Sequence, residues 1–146
     1  MDDWSLELRV VYEDLPSLIE VETRVRAGDW SACSKAYCSP TFLTDDAARL
    51  IAWSRDPRGH FQLECGADTG IGWLVLDFYT INGAGHTRCA VTLATGDTSG
   101  DPRPAETWRF AVELTTEPGL IERFAEECVA LSRDYSRKAT LIHLRH

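Results

Sequence analysis

The chain has 146 residues, of which 15 are basic and 23 acidic, and its formal net charge is −8. One globular domain spanning residues 1–146 is expected, because domains commonly contain about 100–200 residues. The negative charge argues against partners such as nucleic acid or an anionic membrane, since binding to both depends on Lys and Arg. The sequence has neither a long apolar run nor a secretory signal, so we predict a cytoplasmic protein.

Three strands are predicted in the first third of the chain. Residues 5–12 and 18–26 alternate between apolar and charged side chains, which is the period of a half-buried strand, and a turn at Pro16 separates them. A one-residue slip would bury the charges of the second segment, among them Arg24, so we expect an antiparallel pair with a fixed register. Residues 30–37 are rich in small side chains and predict a third, weaker strand.

Residues 44–55 predict the first helix, and residues 60–65 predict a short strand after it. Thr44 is a typical N-cap residue, and Asp45 and Asp46 lie in the first turn, where the helix dipole favours negative charge. We therefore interpret the two acids as helix-capping residues and not as catalytic groups.

A β-hairpin at residues 71–95 is the clearest structural signal in the sequence. Asn82-Gly83 favours a tight turn between its two strands. Two apolar faces are expected to pair across the hairpin, formed by Leu74, Leu76 and Phe78 on one strand and Cys89, Val91 and Leu93 on the other. The opposite side of the same strands carries larger polar and aromatic residues, namely Trp73, Asp77, Tyr79, Arg88 and Thr92.

A loop at residues 96–104 leads to the last strong strand signal, at residues 107–115. The loop combines Gly, Pro and Asp within one short stretch. In the strand, Trp108 is expected to face the core with the apolar residues that alternate after it, whereas Arg109 and Glu113 face outward.

The second and longer helix is predicted at residues 116–134, with Thr116 as its cap. Residues 135–146 form a tail that contains basic residues and no acidic ones, in contrast to the acidic chain as a whole. Within the tail, residues 139–144 fit either an edge strand or an extension of the helix, and the sequence leaves both alternatives open.

The order of these elements predicts the fold class. Runs of strands with two helices and without βαβ alternation indicate an α+β protein. We expect a single, mainly antiparallel β-sheet of about six to seven strands, with the two α-helices packed on one of its faces.

Cysteine and histidine residues do not form a convincing metal or catalytic motif. The pairs closest in sequence are Cys33 with Cys38 and His86 with Cys89. A structural zinc site, however, needs about four ligands held on tight turns. We interpret the cysteines as small buried apolar residues. The sequence therefore predicts no metal, no cofactor and no catalytic residue.

Asp77 is the one acid with a candidate chemical role. It lies in a strand on the same side as Trp73 and Tyr79, and an acid among aromatic rings can have a raised pKa and act as a general base. We favour the simpler interpretation that Asp77 forms a cross-strand ion pair with Arg88.

Outward-facing residues of all the predicted strands offer a candidate binding surface. Arginine and large aromatic residues are enriched where proteins bind each other. The same composition also fits an ordinary solvated sheet face, so both interpretations stand. The residues chosen as the candidate site are Trp73, Asp77, Tyr79, Arg88, Arg109, Glu113 and Arg24.

Several features occur in a characteristic order, namely Trp30-Ser31, the helix near Thr44, the long hairpin, Trp108, the stretch Thr115-Thr116-Glu117-Pro118-Gly119 and Phe124. This order of elements resembles a family of small bacterial proteins of GC-rich genomes that is known only as a domain of unknown function. The resemblance covers roughly residues 5–134, and it implies a similar α+β fold but no catalytic residue. The chain is also similar in size and charge to immunity proteins, which neutralise a toxin by binding it.

Three functional hypotheses follow from the sequence. The leading one is a non-catalytic cytoplasmic protein that binds a protein partner, immunity-like in one form, through the charged outer face of the sheet. The alternative is a small-molecule-binding protein or enzyme with a pocket between sheet and helices, for which Asp77, Tyr79 or His86 would supply polar groups. The third is self-association through the sheet face or a tail strand.

Overall fold

The structure is a computed structural model that describes residues 4–67, 72–82, 85–95 and 108–144. Within these ranges the chain forms an α+β fold with eight strands and two α-helices. The strands are β1 (Ser5–Asp14), β2 (Leu18–Ala27), β3 (Trp30–Cys38), β4 (His60–Gly66), β5 (Gly72–Thr80), β6 (Thr87–Thr95), β7 (Trp108–Thr116) and β8 (Ala139–Ile142). The helices are α1 (Asp45–Arg55) and α2 (Pro118–Leu131).

The described strands form two antiparallel sheets of four strands each. Sheet A has the order β3-β2-β1-β8, and sheet B has the order β4-β5-β6-β7. The predicted single sheet of six to seven strands is therefore wrong. The reason is that alternation along a strand specifies which side is buried, whereas it carries no information about which strands are neighbours.

Two glycines allow the sheets to approach each other closely. A Cβ atom on Gly72 would overlap the carbonyl oxygen of Lys35 in β3 and lie 2.8 Å from its carbonyl carbon. A Cβ atom on Gly66 would overlap the carbonyl oxygen of Gly72 and lie 3.0 Å from the Cβ of Ala36. Strand β3 therefore packs against the backbone of sheet B instead of adding to its hydrogen-bonded ladder.

The two hairpins that the sequence predicted most clearly are present with the expected partners. Strand β1 pairs with β2, and a register shift between Val10 and Tyr12 marks a bulge. In the β5–β6 pair the apolar residues oppose each other as predicted: Leu74 with Leu93, Leu76 with Val91 and Phe78 with Cys89. Residues 83 and 84 of the predicted tight turn lie outside the described residues.

Both helices contribute to one core that also includes residues of both sheets. Helix α1 buries Ala47, Leu50 and Ser54. The helical period predicts a buried stripe of Leu120, Ile121, Phe124, Ala125, Cys128 and Leu131, and α2 buries all of these except Leu120, which is partly exposed. The helices do not share one face of a single sheet, because α2 also contacts β1 and β8 of sheet A. In sheet B the ring of Phe78 meets both helices, with centroids 6.3 Å from Trp53 and 6.5 Å from Phe124.

Local details at strand and helix ends differ from the sequence expectations. Trp108 is 70% exposed and is not buried in the core, although it lies on the same side of β7 as Leu114, because it begins an edge strand that has a neighbouring strand on one side only. Thr116 ends β7, so Glu117 occupies the N-cap position of α2. Thr44 occupies the N-cap position of α1, but its side chain makes no capping hydrogen bond.

The tail adopts the strand alternative. Strand β8 pairs antiparallel with β1 at the edge of sheet A, and Ser5 lies opposite Ile142. Beyond β8 the chain reaches sheet B, where the N–H of Leu144 donates to the carbonyl oxygen of Thr115 at 2.7 Å. The N–H of Thr115 donates in turn to Nδ1 of His143 at 2.8 Å. The tail therefore forms hydrogen bonds with both sheets and links them.

Three of the cysteines are buried, Cys38 is partly buried and Cys33 is exposed. Burial raises the pKa of the Cys89 and Cys128 thiols, and a hydrogen bond with Cys38 together with burial raises the pKa of Cys65. Cys33, in contrast, is exposed, so the expectation that it is a buried apolar residue is wrong. Its position on β3 lies opposite Arg24 and faces outward, as the period of the strand requires.

We expect one cysteine to react rapidly with a thiol reagent in the folded protein. Cys33 is accessible, whereas Cys65, Cys89 and Cys128 are buried and carry raised pKa values, so they should react only after unfolding. Titration with a chromogenic disulfide, with and without guanidinium, measures this difference. A Cys33→Ser variant should lose the fast phase, and rapid labelling of the three buried thiols in native buffer would contradict the packing described above.

Candidate functional site

Alternate residues of sheet B project away from the helices and form a continuous surface, which we call the outer B face. The register of the four strands places these residues side by side across the sheet. Its members are His60, Gln62 and Glu64 on β4; Trp73, Val75, Asp77 and Tyr79 on β5; Arg88, Ala90, Thr92 and Ala94 on β6; and Arg109, Ala111, Glu113 and Thr115 on β7.

One end of the outer B face is organised around Trp73. Its indole Nε1 donates a hydrogen bond to Oε2 of Glu64 at 2.7 Å. The guanidinium carbon of Arg109 lies 5.5 Å from the centre of the indole ring, which is the geometry of a cation–π contact. Trp73 is therefore held between an acid from β4 and a base from β7, and its ring is presented in a fixed orientation.

The other end of the outer B face is organised around Tyr79. Nδ1 of His60 lies 3.0 Å from both carboxylate oxygens of Asp77, and the His60 ring stacks on Tyr79 with centroids 5.2 Å apart. The phenol of Tyr79 donates to Oε1 of Glu113, and this hydrogen bond raises the pKa of Tyr79. Arg88 approaches Oε2 of Glu113 at 3.4 Å.

The predicted ion pair between Asp77 and Arg88 is replaced by two other pairs. In the register of the sheet Arg88 lies opposite Tyr79, whereas Asp77 lies opposite Ala90. The ion pair of Arg88 is consequently made with Glu113 on the next strand, and Asp77 pairs with His60 on the other side. The sequence correctly predicted the face of each residue, but the predicted pair was two residues out of register.

Two residues that the sequence interpretation passed over belong to this surface. His60 and Glu64 contact Asp77 and Trp73 respectively. Residues 60–65 alternate as a half-buried strand does, so the same parity argument that selected Trp73 would also have selected these two residues.

Arg24 is separate from the other six candidate residues. It lies in β2 of sheet A, where its Nε is 2.8 Å from Oε1 of Glu22. It lines a groove of about 480 Å³ that also includes Glu7, Arg26 and Cys33. The structure thus brings together Trp73, Asp77, Tyr79, Arg88, Arg109 and Glu113, and it places Arg24 on the other sheet.

The polar groups of the outer B face are unsuited to a pocket between sheet and helices. Asp77 and Tyr79 alternate with Phe78, whose ring contacts the helices, so the two polar side chains project to the opposite side. His86 lies outside the strands, where its Nδ1 is 3.0 Å from Nδ2 of Asn82. This arrangement counts against the small-molecule pocket that the sequence left open.

Neither a metal centre nor a membrane span is found in the part of the chain that the structure describes. No three His, Cys, Asp or Glu side chains among those residues are grouped in a way that could hold a metal ion. No helix in the same ranges has the length and apolar character needed to cross a membrane.

The fold and this face define a small α+β protein with two antiparallel sheets, one of which presents an ordered surface of polar and aromatic side chains. No protein-family model, curated protein or solved structure matches the chain. The family resemblance drawn from the order of elements therefore stays a prediction, and the functional argument rests on the outer B face itself.

Proposed function

We propose that this chain is a non-catalytic protein-binding protein that uses the outer B face to contact a protein partner. The observation that carries the proposal is the fixed presentation of two aromatic residues, Trp73 and Tyr79, by acids on other strands of the same sheet. Tryptophan, tyrosine and arginine supply most of the binding energy in protein interfaces. Side chains that are already ordered lose less conformational entropy on association, which favours tight binding.

The charge of the chain suggests the chemistry of the partner. A net charge of −8 accelerates encounter with a basic protein and slows encounter with an acidic one. Neutralisation of a basic toxin, in the manner of an immunity protein, is one form of this proposal. A cytoplasmic location also belongs to it, and the five free cysteines support that location.

Alanine substitution of the two aromatic residues tests the proposal. The tagged chain is used to capture a partner from extract of its own cells, and the affinity of the purified partner is then measured by titration calorimetry. We expect Trp73→Ala and Tyr79→Ala each to weaken that affinity about tenfold or more, because aromatic anchors dominate such interfaces. The apparent association rate should also fall as salt is added.

A matched control uses an aromatic residue on the other sheet. Tyr37 is a partly exposed residue of β3, and Tyr37→Ala should leave the affinity unchanged. Circular dichroism establishes that all three variants are folded. Equal affinities for all variants, or a greater loss with Tyr37→Ala, would refute the assignment of the outer B face.

A further inference from the structure

Strands β3 and β4 meet where the chain passes from sheet A to sheet B. Among the described strands, β3 ends the order of sheet A and β4 ends the order of sheet B, and the two strands are in direct contact. The segment that joins them contains α1. Each strand carries a cysteine near this contact, Cys38 at the end of β3 and Cys65 in β4.

The period of the two strands directs both of these thiols toward the core. In β3, Ala36 and Cys38 share a side and Ala36 is buried, whereas Cys33, five positions before Cys38, is exposed on the other side. Cys65 is fully buried in β4, and Cys38 packs against the same core cluster while it stays partly exposed. Of the two cysteines of β3, therefore, only Cys38 is directed toward sheet B.

The Cys65 thiol lies against the part of β3 that carries Cys38. Its Sγ donates to the carbonyl oxygen of Ala36, two residues before Cys38, at 3.5 Å. A hydrogen bond with the Cys38 side chain, together with burial, raises the pKa of the Cys65 thiol. A buried thiol that stays protonated is unreactive toward dissolved reagents, so Cys65 is expected to react only with a sulfur that is already beside it.

We propose that Cys38 and Cys65 form a redox-sensitive pair, which hydrogen peroxide converts into a disulfide that joins the two sheets. The Cys38 thiolate attacks one oxygen of the peroxide, the O–O bond breaks, and a sulfenic acid forms while the other oxygen leaves as hydroxide and takes up a proton. The Cys65 sulfur then attacks the Cys38 sulfur, the S–O bond breaks, and the hydroxyl group leaves as water with the Cys65 proton. Two thiols are thereby oxidised by two electrons, and one peroxide is reduced to two molecules of water.

The disulfide would close a loop that includes the whole of α1. Residues 39–64 lie between the two cysteines, so the bond would restrict a long segment of the unfolded chain. The entropy that the unfolded state loses grows with the length of the closed loop, and the folded state is favoured accordingly. The bond would lie on the core side of β4, opposite the outer B face, so this inference is independent of the protein partner proposed above.

Mass spectrometry and thermal unfolding of the full chain test the pair. The Cys33→Ser variant serves as the background, because the exposed Cys33 thiol could otherwise link two chains. Brief treatment with hydrogen peroxide should lower the mass of the monomer by two hydrogen atoms, and digestion without a reducing agent should give one linked pair of peptides that holds Cys38 and Cys65. The midpoint of thermal unfolding should rise by about 5–15 °C, and dithiothreitol should reverse both changes.

Alanine variants in the same background identify the two sulfur atoms. Cys38→Ala and Cys65→Ala should each abolish both the mass change and the rise of the midpoint. Cys38 is only partly buried, so Cys38→Ala gives a folded test even where Cys65→Ala does not fold. Cys128→Ala removes a buried thiol of α2 and should leave both effects in place. Two free thiols after peroxide treatment, a disulfide that persists in Cys38→Ala, or a linked form with an unchanged midpoint would overturn the proposal.

Discussion

Gly72→Ala is expected to lower the free energy of unfolding by about 3 kcal/mol or more. The added Cβ would overlap the carbonyl oxygen of Lys35 and lie 3.3 Å from the Cα of Ala36. Both neighbours are backbone atoms of β3, so relief requires the two sheets to separate and not merely a side chain to rotate. Urea denaturation followed by circular dichroism measures the loss.

Gly119→Ala is the matched control for this prediction. Gly119 lies in the first turn of α2, and an added Cβ there would have no neighbouring atom within 4 Å. Alanine is favoured over glycine in helices by up to about 1 kcal/mol, so stability should stay equal or rise. If both variants changed stability by the same amount, the close approach of β3 to Gly72 would be wrong.

Phe78→Ala is expected to cost about 3–5 kcal/mol, since it removes a fully buried aromatic ring and leaves a cavity. The ring of Phe78 joins sheet B to both helices through Trp53 and Phe124. Its loss should therefore weaken the packing of three elements at once. Denaturant titration of Phe78→Ala beside the unaltered chain gives the difference.

A double-mutant cycle distinguishes loss of this contact from a general loss of apolar area. Phe78→Ala combined with Phe124→Ala should cost less than the sum of the two single changes, because both remove the same ring contact. Phe78→Leu, which keeps most of the volume, should cost less than about 1.5 kcal/mol. Strict additivity would mean that the two rings do not depend on each other for stability.

The sequence predicted the buried side of each strand well because burial follows a two-residue period that is local to the strand. This period predicted that Leu76 and Val91 lie on paired apolar faces, and it also predicted the outward positions of Asp77 and Tyr79. The apolar stripe of α2 followed equally from the helical period. These features need information only from the residues of one element or of one hairpin.

The division into two sheets could not be predicted in this way, because it depends on contacts between residues distant in sequence. Lys35 and Gly72 meet across the two sheets, and alternation in β3 or β5 is the same whichever strands are neighbours. The signal that was present is the pair Gly66 and Gly72 at strand ends, since glycine in a strand often marks a close backbone approach. For the same reason the sequence grouped Arg24 with residues of sheet B, although it lies in sheet A.

Strand β8 has a consequence for the order in which the chain folds during its synthesis. Ser5 pairs with Ile142, so sheet A is completed by a contact between residues that are far apart in the chain. Sheet B, in contrast, joins strands that are consecutive in the chain, and local contacts form faster than distant ones. We therefore expect sheet B and the β1–β2–β3 part of sheet A to form early, whereas β8 can pair with β1 only after it has emerged.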